Sequence, residues 1–343
     1  MQGMGQVQPW FMLSPDCLAR FGRICVTGGA GFVGRHLVRA LVGLNHPVRV
    51  LDIAPTCAEV PDGATYLQVD LRDRVATLAA IEGADLVFHL AGNANGTRSV
   101  TDPWFDFESN AVATFNVAEA CASSEARLVY LSSACVYGIP RATPMDENHP
   151  TEPFLPYGAS KLAGEHVIRA LVGAWRLSAV IGRSFVVYGP GENPRTAGGE
   201  VSQFLRWHLN ELPIPVAGDI DAKTRDFVHV HDLVAALLLL AAGTEDGEVV
   251  NIGSGAETSM RQLADVVGQA TGYPAELAAD PRVLDDSYRL VADISRLRAL
   301  GFQPCYPLSA GVTALAAELG PRPELPTVAA AAFRREQLVP AEV

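Results

Sequence analysis

Arg23-Ile-Cys-Val-Thr27-Gly28-Gly-Ala-Gly31-Phe-Val-Gly34 opens the stretch from which the fold is read. Residues 23–27 have the character of a short strand, the glycines make a tight turn, and Leu37, Val38, Leu41 and Val42 have helical spacing between Arg35 and Gly43. Val48-Arg-Val-Leu-Asp52 is a second strand. Glycines at 28, 31 and 34 let the backbone turn sharply and approach a pyrophosphate, which then sits on the helix N-terminus. Asp52 ends the second strand, where a carboxylate accepts hydrogen bonds from an adenosine ribose and repels a 2′-phosphate. A glycine-rich turn alone says little. With a strand before it, a helix after it and an acid at the next strand end, it predicts a dinucleotide site that favours NAD over NADP.

The alternation continues outward. Residues 64–69 read as a strand ending at Asp70, 75–81 as a helix, and 85–90 as a strand running into Ala91-Gly92. Asp102-Pro103 opens a helix through about Ser123, followed by a strand at 127–131, a helix from Tyr157 to about Trp175 and a strand at 178–181. Repeated β-α units predict an α/β fold, a Rossmann-type doubly wound parallel sheet with helices on both faces. Ligands collect at the carboxyl ends of such strands, where Gly28, Asp52, Asp70, Ala91 and Ser132 all fall. Asp70 reads equally well as a turn former. The Pro-rich loop 139–156, with Asp146-Glu147-Asn148-His149, reads as a rim or lid whose charges are solvated.

Tyr157-Gly-Ala-Ser-Lys161 carries the chemistry. Four residues apart on a helix, Tyr157 and Lys161 share a face about 6 Å apart along the axis. A cation so close favours the phenolate, so the tyrosine can act as a general base and return the proton as an acid. Tyr and Lys are also ordinary surface residues, but this chain has only two lysines, Lys161 and Lys223, among 26 basic residues. A Ser133 hydroxyl at the end of the preceding strand can donate to a substrate oxygen beside that base, although serine pairs there also serve simply to cap backbone groups.

From Tyr188-Gly-Pro-Gly191 onward, regular β-α units give way to short elements rich in Pro and Gly. The expected organisation is an N-terminal extension (1–20), a dinucleotide-binding domain (21–184, rejoined as strand and helix by 228–247), a substrate lobe (185–227 and 248–320) and a tail (321–343). Within the lobe, Arg225, Arg282 and Arg289 are candidates for bidentate pairing with a phosphate, each with surface duty as the plainer alternative. His229-x-His231-Asp232 has strand spacing but no further ligand set, so no metal is expected. Cys135 has no basic partner nearby in sequence and is not expected to be a nucleophile.

Composition bounds the partners. A net charge of −12 argues against nucleic acid or an anionic membrane as the main partner. The six scattered cysteines form no Cys-x-x-Cys pair and fit reduced thiols in a cytoplasmic protein. Residues 233–242 are apolar but too short to span a bilayer, and residues 1–20 lack the pattern of a signal peptide.

Together these residues resemble the extended short-chain dehydrogenase/reductase superfamily, in particular its NAD-dependent nucleotide-sugar epimerases and dehydratases of the UDP-glucose 4-epimerase type. The likeness covers roughly residues 23–320. It rests on Thr27–Gly34, Asp52, Asp70-Leu71, His89-Leu-Ala-Gly92, Asn110, Ser132-Ser133, Val136-Tyr-Gly138, Tyr157-x-x-x-Lys161, Tyr188-Gly-Pro-Gly191, Arg225-Asp-Phe227 and Asn251-Ile-Gly253. The resemblance implies that Ser133 and Tyr157 touch the sugar hydroxyl being oxidised, while Lys161 holds the nicotinamide ribose and lowers the tyrosine's pKa. It places Gly28, Gly31, Phe32, Val33 and Gly34 at the cofactor's turn, Asp52 on the adenosine ribose, and Asp70 and Leu71 at the adenine. Leu90, Ala91, Gly92, Asn110 and Ser132 complete the cofactor contacts. Arg225 and Arg282 would grip the diphosphate of a nucleoside diphosphate sugar, and a homodimer would form through the helices at 102–123 and 157–175.

Two departures narrow the expectation. Related 4,6-dehydratases carry an Asp-Glu pair, and similar decarboxylases a Glu, where this chain has Ala134-Cys135. Neither residue transfers protons in that way, which leaves epimerisation, most simply at C4 of a UDP- or dTDP-linked sugar through a transient 4-keto sugar. A nucleotide-sugar ketoreductase or dehydrogenase is the nearest alternative and a UDP-uronic acid decarboxylase the next. A dinucleotide-binding sensor without turnover would be expected to lack the base or its lysine. Val186 stands where similar epimerases commonly have a substrate-contacting Asn.

Overall fold

The computed structural model describes residues 15–55, 60–195, 199–280 and 287–326. Its first half alternates as expected: β1 (Ile24–Thr27), α1 (Phe32–Gly43), β2 (Val48–Asp52), β3 (Ala64–Gln68), α2 (Arg74–Ile81), β4 (Leu86–His89), α3 (Gly96–Thr101), α4 (Pro103–Phe107), α5 (Ala113–Ser123), β5 (Arg127–Ser133), α6 (Pro156–Trp175) and β6 (Ala179–Ser184). Then follow β7 (Val186–Tyr188), α7 (Glu200–Leu209), β8 (Ile214–Ala217), β9 (Thr224–Arg225), β10 (Phe227–His229), α8 (Val230–Gly243), β11 (Val249–Ile252), and helices α9 (Met260–Thr271), α10 (Ser295–Ala299) and α11 (Leu308–Leu319).

Among the described residues the main sheet has seven parallel strands in the order β11-β6-β5-β4-β1-β2-β3. The order reverses between β1 and β4, which opens the ligand crevice of a doubly wound sheet at their carboxyl ends. Strands β1 and β4 are buried at every position, as strands covered on both faces must be. On one face Leu37, Val38 and Leu41 of α1 pack with Leu233, Leu237 and Leu240 of α8. On the other, α2, α5 and α6 contribute Ile81, Val117 and Ile168. No helix among the described residues is long and apolar enough to cross a membrane.

The structure departs from the sequence expectations in several places. Phe227–His229 does not rejoin the main sheet; β10 pairs with β7 in a separate two-stranded sheet. The strand that extends the main sheet is instead β11, expected in the substrate lobe, because its edge matches β6 from Val249↔Ile181 to Ile252↔Ser184. Only α8 of the 228–247 segment lies in the main core. The end of the N-terminal extension packs inward as well, with Leu18 fully buried. The helix expected from 102 to 123 is interrupted by a π turn at Glu108–Val112, a feature often found beside functional groups. In the loop 139–156 Arg141, Asp146, Asn148 and Glu152 are exposed as expected, but the Glu147 side chain is only 4% exposed. Glu147 accepts a hydrogen bond from Asn251 N at 2.8 Å and pairs with Arg296 at 3.2 Å, which its neighbours in sequence do not reveal.

Candidate active site

The glycine turn is shaped by close backbone approach. Gly28 has φ +68°, and a Cβ there would lie 2.8 Å from Ala91 N, so the β1 and β4 ends meet only because this side chain is absent. A Cβ on Gly34 would collide with the Gly28 carbonyl. Phe32 and Val33 begin α1 directly behind Gly31, whose extended backbone caps the helix. Asp52 holds this turn from the next strand: its carboxylate accepts from Ala30 N at 3.0 Å and Ala54 N at 3.1 Å. A backbone cradle backed by an acidic strand end fits an adenine dinucleotide. Asp70 lies beyond β3 but is engaged by Arg72 in a bidentate pair, with Nη2 at 2.7 Å, which holds its carboxyl below the usual range. Leu71 is buried, and its carbonyl accepts from Asn116 at 2.8 Å.

Two strands along, β5 delivers Ser132 and Ser133, and α6 rises over them. Pro156 occupies the first turn of α6, where its missing N–H costs nothing. Gly158 lets that turn press on the 134–136 segment, since a Cβ there would strike the Cys135 carbonyl. Tyr157 is thereby brought up to the Ser133–Cys135 segment, where Ser133 acts on its phenol. Lys161, one turn further, is buried with its Nζ 4.4 Å from the centroid of the Tyr130 ring.

The electrostatics differ from what helical spacing alone suggests. Burial pushes the Tyr157 phenol well up, the nearby Cys135 adds to this, and the Ser133 side chain pulls it back. Desolvation outweighs any help from the cation, because Lys161 is itself pulled down by burial, to about 8, against the opposing fields of Glu165 and Asp106. Beneath it His89 bridges Thr27 Oγ1 at 2.7 Å and Thr114 Oγ1 at 3.0 Å, and burial together with Lys161 holds it neutral, near 3.

The π turn brings Asn110 into the same site. Its Nδ2 donates to Asp106 Oδ1 and Ser160 Oγ, both at 3.0 Å, while its Oδ1 is buried and makes no hydrogen bond. Gly92 sits against that oxygen, and a Cβ there would collide with it. An orphan acceptor between the Leu90–Gly92 segment and the α6 dyad is a group that a bound molecule can satisfy.

The substrate side is less simply arranged. Arg225 is buried, donates to Thr224 O at 2.9 Å and Tyr288 O at 2.8 Å, and meets Glu200 Oε1 at 3.2 Å. Lys223 approaches the same oxygen at 3.6 Å. Burial raises the Glu200 carboxyl, but Lys223 and Arg225 more than offset it and leave it below its ordinary value. Arg225 and Glu200 both influence Cys135, whose N–H donates to Ser133 Oγ at 3.2 Å. Burial nonetheless raises the Cys135 thiol. Arg289 is an exposed partner of Glu257, at 2.6 Å, and so is committed elsewhere. Arg282 lies outside the described residues. His229 and His231 pack against Tyr306 and are held low by burial, near 4 and 3. Sequence reasoning missed Asp106, Glu165, Lys223 and Glu200; the scarcity of lysine was the one signal that singled out Lys223.

Residues 24–253 match the NAD dependent epimerase/dehydratase family. The chain is 35% identical over 295 residues to a putative UDP-glucose 4-epimerase of Methanocaldococcus jannaschii, covering 84% of this chain and 95% of that protein. It is also 35% identical over 301 residues to a UDP-glucose 4-epimerase of Mycolicibacterium smegmatis, covering 84% and 96%. Among solved structures it superposes on the UDP-glucose 4-epimerase of Thermus thermophilus in complex with NAD with a TM-score of 0.78 at 32% identity, covering 86% of this chain and 98% of that one.

Proposed function

This chain belongs to the NAD dependent epimerase/dehydratase family, and from that membership we propose that it interconverts C4 epimers of a UDP-linked hexose through a transient 4-keto sugar. The observation that carries the reading is the close approach of the start of α6, with Tyr157 and Lys161 one helical turn apart, to the Ser133–Cys135 segment at a strand end adjacent to the Gly28–Ala91 approach. When bound, NAD supplies a reversible hydride acceptor and a positively charged ring that favours the phenolate. Tyr157 takes the C4 hydroxyl proton and returns it, and Ser133 aligns that oxygen. Lys161 and Asn110 are assigned to the ribose and the middle of the cofactor, Asp52 to the adenosine ribose, and Arg225 to the diphosphate. Ala134-Cys135 supplies no acid for loss of water or carbon dioxide.

Two further assignments follow. Trp104 is 66% exposed and Phe107 43%, stacked on each other at 6.1 Å on α4. Apolar exposure of this kind supports a homodimer through α4, α5 and α6. The free thiols of Cys25 and Cys121 support a cytoplasmic, reducing location.

The test is exchange of UDP-glucose with UDP-galactose by purified protein, followed by NMR, together with the NAD released on denaturation. Exchange without net reduction is expected. Net NADH consumption without exchange would assign a ketoreductase instead, and carbon dioxide released from a UDP-uronic acid a decarboxylase. Tyr157→Phe should lower kcat by about 10²–10⁴-fold while retaining NAD; unchanged turnover would remove Tyr157 from the role of base.

A further inference from the structure

Glu165 stands one turn beyond Lys161 on the same face of α6 and is 1% exposed. Its Oε1 accepts from Ser132 Oγ at 2.5 Å and from Arg183 Nε at 2.9 Å, and its Oε2 accepts from Arg183 Nη2 at 2.6 Å. One buried carboxylate thus joins the helix of Tyr157 and Lys161 to the end of β5 beside Ser133 and to β6. We propose that Glu165 is a positioning residue of the proton-transfer site, which keeps Lys161 in its ammonium form and fixes the Ser132–Ser133 strand end against α6. The proposal rests on the catalytic reading above for its consequence, but not for its measurement.

A buried ammonium loses its proton unless negative charge faces it. The groups around Lys161 are few. Tyr157 and Glu165 share its helix, Asp106 faces it from α4, the Tyr130 ring lies under it on β5, and neutral His89 contributes no charge from β4. Asp106 is fully committed to neutral donors: Asn93 at 2.6 Å, Ser160 at 2.6 Å and Asn110 at 3.0 Å. Glu165 opposes the desolvation of Lys161 more than Asp106 does. Its bond to Arg183 has the form of a buried structural ion pair, and such pairs are often neutral in stability. Structure and charge control make different forecasts. If the pair only braces the fold, removing either partner has the same effect. If Glu165 supports the lysine's charge, deleting Glu165 lowers the midpoint of Lys161, whereas deleting Arg183 leaves the carboxylate in place and does not.

The chain's two lysines make this measurable without turnover. Full-length protein labelled at lysine ¹³Cε gives two side-chain signals, and Lys223→Arg identifies that of Lys161. The expected midpoint in the unsubstituted protein is about 8. Glu165→Gln should lower it by about one pH unit or more, and Arg183→Gln should not lower it. The alkaline limb of kcat should move with it in Glu165→Gln. Should Glu165→Gln fail to fold because Arg183 is left unpaired, Glu165→Gln/Arg183→Met removes both charges and should still show a fall, smaller by the repulsion that Arg183 takes with it. A fall in the Glu165 variant, single or double, that exceeds any fall in Arg183→Gln supports the proposal. An equal fall in Arg183→Gln, or none in the Glu165 variant, overturns it. Absence of sugar exchange in the unsubstituted protein, with the midpoints behaving as stated, would overturn the catalytic reading alone.

Discussion

Gly34 leaves no room for a methyl group, because an added Cβ would run into the carbonyl of Gly28 on the opposite limb of the turn. Backbone cannot yield as the end of a side chain does, so Gly34→Ala should cost about 1–3 kcal/mol and displace the turn that Asp52 holds through Ala30. A lowered melting temperature and purified protein with little NAD are the expected results; a Gly34→Ala variant as stable and as NAD-loaded as the parent would mean the turn adapts. Gly34 was legible in the sequence because its constraint is local: strand, turn and helix succeed one another within a dozen residues. Tyr157 and Lys161 were legible for the same reason, since one helical period fixes their geometry. Glu165 shares that helix and was still missed, because its partners Ser132 and Arg183 arrive from two other strands.

Elements meet at a knot of rings on the far side of the glycine turn. His36 of α1 contacts the Pro190 carbonyl at 2.9 Å, and its ring lies 5.1 Å from that of His231 on α8. His231 in turn contacts the Tyr306 hydroxyl at 3.1 Å. Burial lowers His229 to about 4, with His36 adding to it, and lowers His231 to about 3, with His229 and His36 adding to it. Their unfolded values lie near 6.5, so between that pH and the folded values the unfolded chain binds more protons. Stability therefore stands in full above about pH 6.5 and falls on acidification, by about 1.4 kcal/mol per pH unit for each histidine. Urea midpoints at pH 7.5 and 5 should diverge, and His231→Gln should narrow the gap; an undiminished gap would place the acid sensitivity elsewhere. None of this was readable beforehand, since periodicity shows that a segment is a helix but not which helices touch. The pairing of β10 with β7, and the burial of Glu147 in what looked like a solvated loop, escaped for that reason too.

For the molecule as a whole, the seven-stranded sheet was largely foreseeable from alternating β-α texture, and the surface proposed to join two copies rests on resemblance and on the exposed rings of α4. Trp104 lies at the centre of that second question. If α4, α5 and α6 form the contact, light scattering should give twice the 36.4 kDa chain mass, and Trp104→Glu should weaken association by about tenfold or more. A dimer indifferent to that substitution would be built on another face. The burial of both lysines, at 6% and 5% exposure, reaches into practice as well. Outward-facing positive charge on the side chains is carried by guanidinium groups, which keep their protons in strong alkali. Acylating dyes and amine-reactive resins, routine for most enzymes, would find no lysine on this one's surface to modify.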